Sequence, residues 1–227
     1  RCSICLKITL PRFYESFKGA MQMRTVITIA RQYGSGGREI GRRLAEKFQV
    51  PFYDKELIAL AAEKSGMDAD VLLRADEKAT SSLLYSLVMG DYSFAGGVPF
   101  VNNKPVNDRL FSLQAEIIRE AAEKGPCIIV GRCADDILSG RSNVMSVFIY
   151  ADKQSRLGTV TGLYGVDKGE ASKVLVKQDK QRANYYQFYT GRKWGKTENY
   201  DLCVNSSAFG ADGSAELISK AVSLFEL

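Results

Sequence analysis

Residues 25–48 read TVITIARQYGSGGREIGRRLAEKF, and this run limits the fold more than any other part of the chain. Thr25–Ala30 is a β-branched stretch of strand length. Glycines follow at 34, 36 and 37, and then Ile40, Leu44 and Phe48 recur at helical spacing. The pattern repeats downstream. Val50–Tyr53, Cys127–Val130, Val144–Tyr150 and residues 202–205 read as further strands. Helical patterns cover 55–64, 108–124, 152–163, 169–188 and 212–225. Strands that alternate with helices predict an α/β fold: a parallel sheet with helices on both faces. Such sheets bind ligands beyond the carboxyl ends of their strands.

Two stretches stand outside the alternation. Residues 1–22 show no period. Lys7 and Arg12 interrupt their apolar part and no small-residue cleavage site follows, so they are read as an extension outside a single core domain at 23–227. Residues 66–107 carry few strand signals and the turn-rich GGVPFVNNKPVN. They are expected to form an excursion that covers a substrate, or else a helical pair with a long surface loop.

Composition removes whole classes of chemistry. The 227 residues include no histidine, which excludes Ser-His-Asp and Cys-His catalysis and most catalytic zinc sites. The five cysteines are an odd and scattered set: Cys127 and Cys203 lie in apolar runs and read as buried thiols, while Cys2 and Cys5 form a lone C-x-x-C. A reducing, cytoplasmic location fits. No apolar run approaches the ~18 residues of a membrane helix, so no membrane partner is expected. The net charge is a mild +5, but residues 177–196 hold six basic residues against one acidic. A cluster of that kind calls for an anionic partner.

The glycine turn is the place for that anion. Free N–H groups at a helix start, with the helix dipole, favour phosphate, and Ser35 adds a hydroxyl. The strict P-loop spacing G-x-x-x-x-G-K-[ST] is not met. The lysine position after Gly36 is Gly37, and the position of the magnesium hydroxyl is Arg38, which becomes the candidate cation one residue late. The better-looking Gly195-Lys196-Thr197 follows Gly191 by three intervening residues instead of four and has no strand before it, so it reads as chance. The dinucleotide pattern G-x-G-x-x-G fails as well, because Glu39 stands where its third glycine belongs. Asp54, 18 residues after Gly36, keeps a ribose-binding acid open. It reads equally as the N-cap of the helix that follows.

Taken together, ITIARQYGSGGREIGRRLAEKFQVPFYDKELI, IIVGRCADDIL and YYQFYTGRKWGKTENYDLCVN resemble the cytidylate kinase-like proteins, relatives of the P-loop nucleoside monophosphate kinases. The resemblance runs over about residues 24–226. It implies a P-loop-type five-stranded parallel core, a substrate-binding insert near 66–107 and a lid near 155–196. It implies a phosphate-binding loop at Gly34, Ser35, Gly36, Gly37 and Arg38, with Glu39 beside it. Asp54 resembles the acid that opens the acceptor site, although Lys55-Glu56 replaces the Ser-Gly that follows it in cytidylate kinases. Gly131-Arg132 resembles a Gly-Arg-Asp element facing the acceptor, with Cys133 in place of the aspartate and Asp135 or Asp136 as possible compensation. Arg156 and Arg182, with Asp179, resemble lid residues, and Asn205 with Ser206 falls at the adenine-side loop.

The activity implied is phosphoryl transfer from ATP, with Mg²⁺, to a nucleoside monophosphate such as CMP or dCMP. Arg38, Arg132, Arg156, Arg182 and Arg192 are the candidate catalytic cations, since planar guanidinium forks match phosphate oxygens. No side chain is assigned as a metal ligand. Two alternatives stay open. One is a nucleotide-binding regulatory protein without turnover, argued from the missing loop lysine. The other is a kinase for another small acceptor. Tyr185, Tyr186, Phe188, Tyr189 and Trp194 interleave with the basic cluster. That pattern suits RNA stacking or a lid helix packed on the core, and packing without a nucleic-acid partner is expected.

Overall fold

A computed structural model describes residues 23–54, 56–66 and 106–227. The extension read over 1–22 and nearly all of the excursion read over 66–107 lie outside the described residues. Elements are numbered over the described chain. They are β1 (Val26–Arg31), α1 (Gly37–Phe48), β2 (Phe52–Tyr53), α2 (Glu56–Ser65), α3 (Val106–Lys124), β3 (Ile128–Val130) and α4 (Ala134–Ile137). There follow β4 (Val144–Tyr150), α5 (Lys153–Gly162), α6 (Lys168–Thr190), a 3-10 turn at Thr197–Asn199, β5 (Leu202–Asn205) and α7 (Ser206–Phe225).

The five strands pair in parallel in the order β2-β3-β1-β4-β5. β1 lies at the centre, with Ile27 opposite Ile128 of β3 and Met145 of β4. Because both faces are covered, β1 is a nearly continuous apolar run. Ile27 and Ile29 face one core, shared with Ile40 and Leu44 of α1 and Ile218 and Val222 of α7. Val26 faces the other, with Leu57 of α2 and Ile117 and Ile118 of α3. Burying each of these large side chains stabilises the fold by about 1.5–3 kcal/mol.

The strands fall where the apolar runs place them, with one difference of consequence. β1 does not stop at Ala30 but continues through Arg31, which pairs with Ile149 of β4. The sheet therefore presents an arginine at the carboxyl end of its central strand. α5 and α6 pack together above that end through Val160, Ala171 and Leu175, with Tyr33 of the glycine loop against them.

Candidate active site

The loop between β1 and α1 is braced from several sides and leads into the open start of α1. Gly34 and Gly36 take positive φ (77° and 74°), which a side chain would strain. Gly36 is the N-cap of α1 and supplies no side chain to it. The first helical bond runs from the Ile40 N–H to the Gly36 carbonyl (3.0 Å), so the N–H groups of the first turn have no acceptor within the helix. A Cβ on Gly36 would meet nothing within 4 Å, so the loop is open on that side. Elsewhere it is braced. The Ser35 hydroxyl donates to the Gln32 carbonyl (2.9 Å), and Ser206 Oγ donates to the Ser35 carbonyl (2.7 Å). The Tyr33 N–H donates to Asp179 Oδ1 (2.8 Å), and Arg156 Nε donates to the Tyr33 carbonyl (2.8 Å). Arg156 also pairs with Asp179 Oδ2 at 2.5 Å. Two helices thus grip the two peptide groups that flank Tyr33.

Around this loop stand several guanidinium groups and one buried carboxylate. Asp54, at the end of β2, is 6% exposed. Its Oδ2 lies 2.6 Å from Arg38 Nε and its Oδ1 3.5 Å from Arg31 Nη2. Arg182 donates to the Arg31 carbonyl (2.9 Å) and lies over the Tyr33 ring, 5.4 Å from its centroid. Burial presses the Arg31 guanidinium well below its ordinary value, to about 9, with Arg182 as the next cause and Arg132 adding to it. Burial also lowers Arg182, against the pull of Asp179. Charges of one sign held out of water and against one another favour an arriving anion.

The chain after β3 is bent to reach this point. Gly131, Arg132 and Cys133 all have positive φ (81°, 58° and 56°), an uncommon run for side-chain-bearing residues. A cleft of about 300 Å³ opens here, lined by Arg31, Arg132 and Arg182 together with Gln178, Gln181 and Trp194. Asp135 reaches it too. Its carboxyl accepts from the Tyr186 hydroxyl (2.6 Å) and is raised above the usual range, chiefly by burial. Cys133 is buried and its thiol is pushed far up, so it is not a nucleophile.

The residues singled out from sequence fall into two groups. Gly34, Ser35, Gly36, Gly37, Arg38, Asp54, Arg156, Asp179 and Arg182 lie on or beside the loop, and Arg132 lines the cleft next to it with Arg31 and Arg182. Within that group Arg156 and Asp179 are turned to the loop backbone and to each other, and Ser35 is spent on its own turn. The other group lies elsewhere. Glu39 pairs with Arg42 and Arg43 along the outside of α1. Arg192 points to Asn199 Oδ1 (3.2 Å) and Asp136 (3.4 Å) in a different cleft. The Asn205 side chain caps α7 by accepting from the Ser207 N–H (3.1 Å). It is Ser206, its neighbour, that touches the loop. The aromatics of α6 and of the turn after it are largely in the protein's own packing. Tyr189 stacks on Phe111 at 3.9 Å, Trp194 sits edge-on to Phe148, and Tyr186 is buried.

The residue that sequence reasoning passed over is Arg31. The β-branched run ends one residue short of it, and the P-loop pattern places its cation on the helix side. The signal was there, five positions before Gly36, where the P-loop pattern asks for a glycine.

Magnesium takes oxygen ligands and is commonly held by one or two carboxylates together with substrate phosphates. Asp54 is the carboxylate placed for that, while the loop position that supplies a hydroxyl in the P-loop pattern is Arg38. Among the described residues no three acidic or cysteine side chains gather as a preformed metal site, and no helix is long and apolar enough to cross a membrane.

Comparison with known proteins agrees with this architecture. The chain is 23% identical over 206 residues to a cytidylate kinase of Methanopyrus kandleri, covering 87% of this chain and 92% of that one. Among solved structures, an uncharacterized protein from Eubacterium ventriosum superposes with a TM-score of 0.63 at 29% identity, covering 88% of this chain and 99% of that one. A shikimate kinase from Acinetobacter baumannii, in complex with shikimate, shares the fold at a TM-score of 0.51 and 14% identity, over 92% of this chain and 98% of that one. The family profile described as the cytidylate kinase-like family matches residues 26–208, and the chain belongs to that family.

Proposed function

We propose that this protein transfers the terminal phosphoryl group of ATP to a nucleoside monophosphate, with CMP or dCMP the first acceptors to try. The observation that carries the reading is the cluster of arginines gathered at the mouth of a braced glycine loop, two of them sharing the buried carboxylate of Asp54. Phosphoryl transfer asks little covalent chemistry of a protein. It asks for position and for positive charge on the transferring group. The braced loop and the first-turn N–H groups of α1 hold the donor phosphates. Arg182, fixed on the Arg31 carbonyl, neutralises the group in flight, and Arg132 with the adjoining cleft receives the acceptor. Arg156 and Asp179 are positioning residues that keep the Tyr33 peptide in place. Mg²⁺ bound with the nucleotide would add charge neutralisation on its phosphates, and Asp54 would hold it on giving up its 2.6 Å contact with Arg38.

The absence of histidine favours a phosphate acceptor over an alcohol. The second pKa of a phosphate monoester is about 6, so its attacking oxygen needs no general base at neutral pH. An alcohol needs one, and the carboxylate at hand, Asp54, is engaged by Arg38 at 2.6 Å. The competing reading, a nucleotide-binding regulator, rests on Gly37 in the lysine position. The test is ADP release from Mg·ATP by the full chain, against a panel of nucleoside monophosphates and a control without acceptor. Stimulation by one or more acceptors is expected. ATP binding without stimulation by any of them would favour the regulator.

A further inference from the structure

The glycine loop departs from the P-loop pattern at two positions that face each other. Counted back from Gly36, G-x-x-x-x-G-K places its first glycine at 31 and its lysine at 37. This chain has Arg31 and Gly37, so cation and glycine have changed places. The geometry shows why the two positions change together. A Cβ on Gly37 would lie 2.6 Å from the Arg31 Cβ and 3.0 Å from its Cγ. Both Cβ atoms are fixed by backbone, so side chains at 31 and 37 exclude each other. They also start from nearly the same point in space.

From that point the Arg31 side chain runs toward Gly131, where an added Cβ would fall 2.2 Å from Arg31 Nη1. Its stem starts beside Gly37 at the foot of the glycine loop, and its fork ends beside Asp54 and Gly131. Four-fifths of the side chain is buried. Among the described residues its ion pair is the 3.5 Å contact with Asp54, whose other oxygen Arg38 holds at 2.6 Å. A guanidinium has five N–H donors, and this contact leaves most of them unspent. Arg38 is a weaker candidate for the same task, since its side chain is 57% exposed and closely paired.

We propose that Arg31 is a catalytic residue that contacts the transferring phosphoryl group, supplying from the end of β1 the charge that the P-loop pattern supplies from a lysine on α1. Gly37 and Gly131 leave the corridor through which it reaches. The inference deepens the phosphoryl-transfer reading and rests on it for the reaction, but the anion contact can be tested without turnover.

The experiment uses the full chain in four forms: wild type, Arg31→Gln, Arg31→Lys, and the double variant Arg31→Gly/Gly37→Lys, which restores the P-loop pattern at both positions. Acceptor-stimulated ADP release is resolved into kcat and KM. Binding of inorganic tripolyphosphate and of AMP is measured by calorimetry, and melting temperature checks the fold. Arg31→Gln is expected to lower kcat by about 10²–10³-fold with a much smaller change in acceptor KM. Its tripolyphosphate affinity should fall at least ~10-fold while AMP affinity changes less, as expected for loss of a charge-assisted contact to the outer phosphates. Arg31→Lys should keep part of both, and the folded double variant should recover most of both. Tripolyphosphate affinity and kcat within about twofold of wild type in Arg31→Gln would overturn the proposal, being too small a change for a lost phosphoryl contact. So would a folded double variant as impaired as Arg31→Gln, or a wild type that binds no tripolyphosphate. If the wild type releases no ADP with any acceptor, the kinase reading fails by itself and the binding arm alone decides the role of Arg31.

Discussion

Helix α1 carries two charged neighbourhoods within four turns, and they are built differently. On its outer face Arg42 meets Glu39 and Glu46, both at 2.9 Å, and Arg43 meets Glu39 and Asp212. Acids answer bases there, and the side chains stand in water. At the inner end Arg31 and Arg38 share Asp54, while Arg132 and Arg182 add charge beside them. Of the other acids nearby, Asp179 gives its two oxygens to the Tyr33 N–H and to Arg156, and Asp135 accepts from the Tyr186 hydroxyl. Exposed balanced pairs are screened and contribute about 0–1 kcal/mol each. A buried excess of one sign costs the empty protein free energy that an anion returns when it binds. The same residue types therefore mean solvation in one place and, on the proposed function, a place for an anion in the other.

The contrast can be broken from its strong end downward. Arg182→Ala should lower kcat by ~10³-fold with the best acceptor, the scale of removing a phosphoryl-stabilising arginine. Steady-state ADP release measures it, and near-normal turnover would remove Arg182 from the chemistry. Arg156→Ala should act on stability instead. It leaves Asp179 part-buried without its cation and frees the Tyr33 carbonyl, at a cost of about 3 kcal/mol, readable as a shift in denaturant midpoint. A variant with normal stability and lost turnover would instead make Arg156 a contact to substrate. Gly37→Ala should cost about 2 kcal/mol, because its Cβ meets the Arg31 Cβ at 2.6 Å and one backbone must shift. On the outer face Arg42→Ala should change stability by less than about 0.5 kcal/mol and leave turnover alone. A large effect there would mean the two neighbourhoods are coupled.

Much of the frame was legible in the sequence because each element has its own local signal. β1 and β4 are β-branched or apolar runs, and Ile40, Leu44 and Phe48 keep helical spacing. The glycine cluster marks the loop, because backbone at positive φ selects glycine at 34 and 36. The site was legible only in part, because contacts between distant elements leave no spacing to read. Arg156 and Asp179 are 23 positions apart on two helices and meet on one residue of a third segment. Nothing in the basic run 177–196 separates Arg182, which reaches the loop, from Arg192, which faces Asp136 and Asn199. That sorting is set by how α6 lies on the sheet. Asn205 and Ser206 show the same limit at single-residue scale, since one caps a helix and the next braces the loop. Arg31 was hidden for a different reason: it ends an apolar strand, where a cation is read as the start of a turn.

The most direct test of phosphoryl transfer to a nucleoside monophosphate follows the phosphorus itself. Phosphorus-31 NMR of the full chain with Mg·ATP and each monophosphate in turn distinguishes the products. The account predicts ATP loss matched by ADP and a new nucleoside diphosphate, fastest with CMP or dCMP. ATP left intact with every monophosphate, or inorganic phosphate as its sole new product beside ADP, would contradict it.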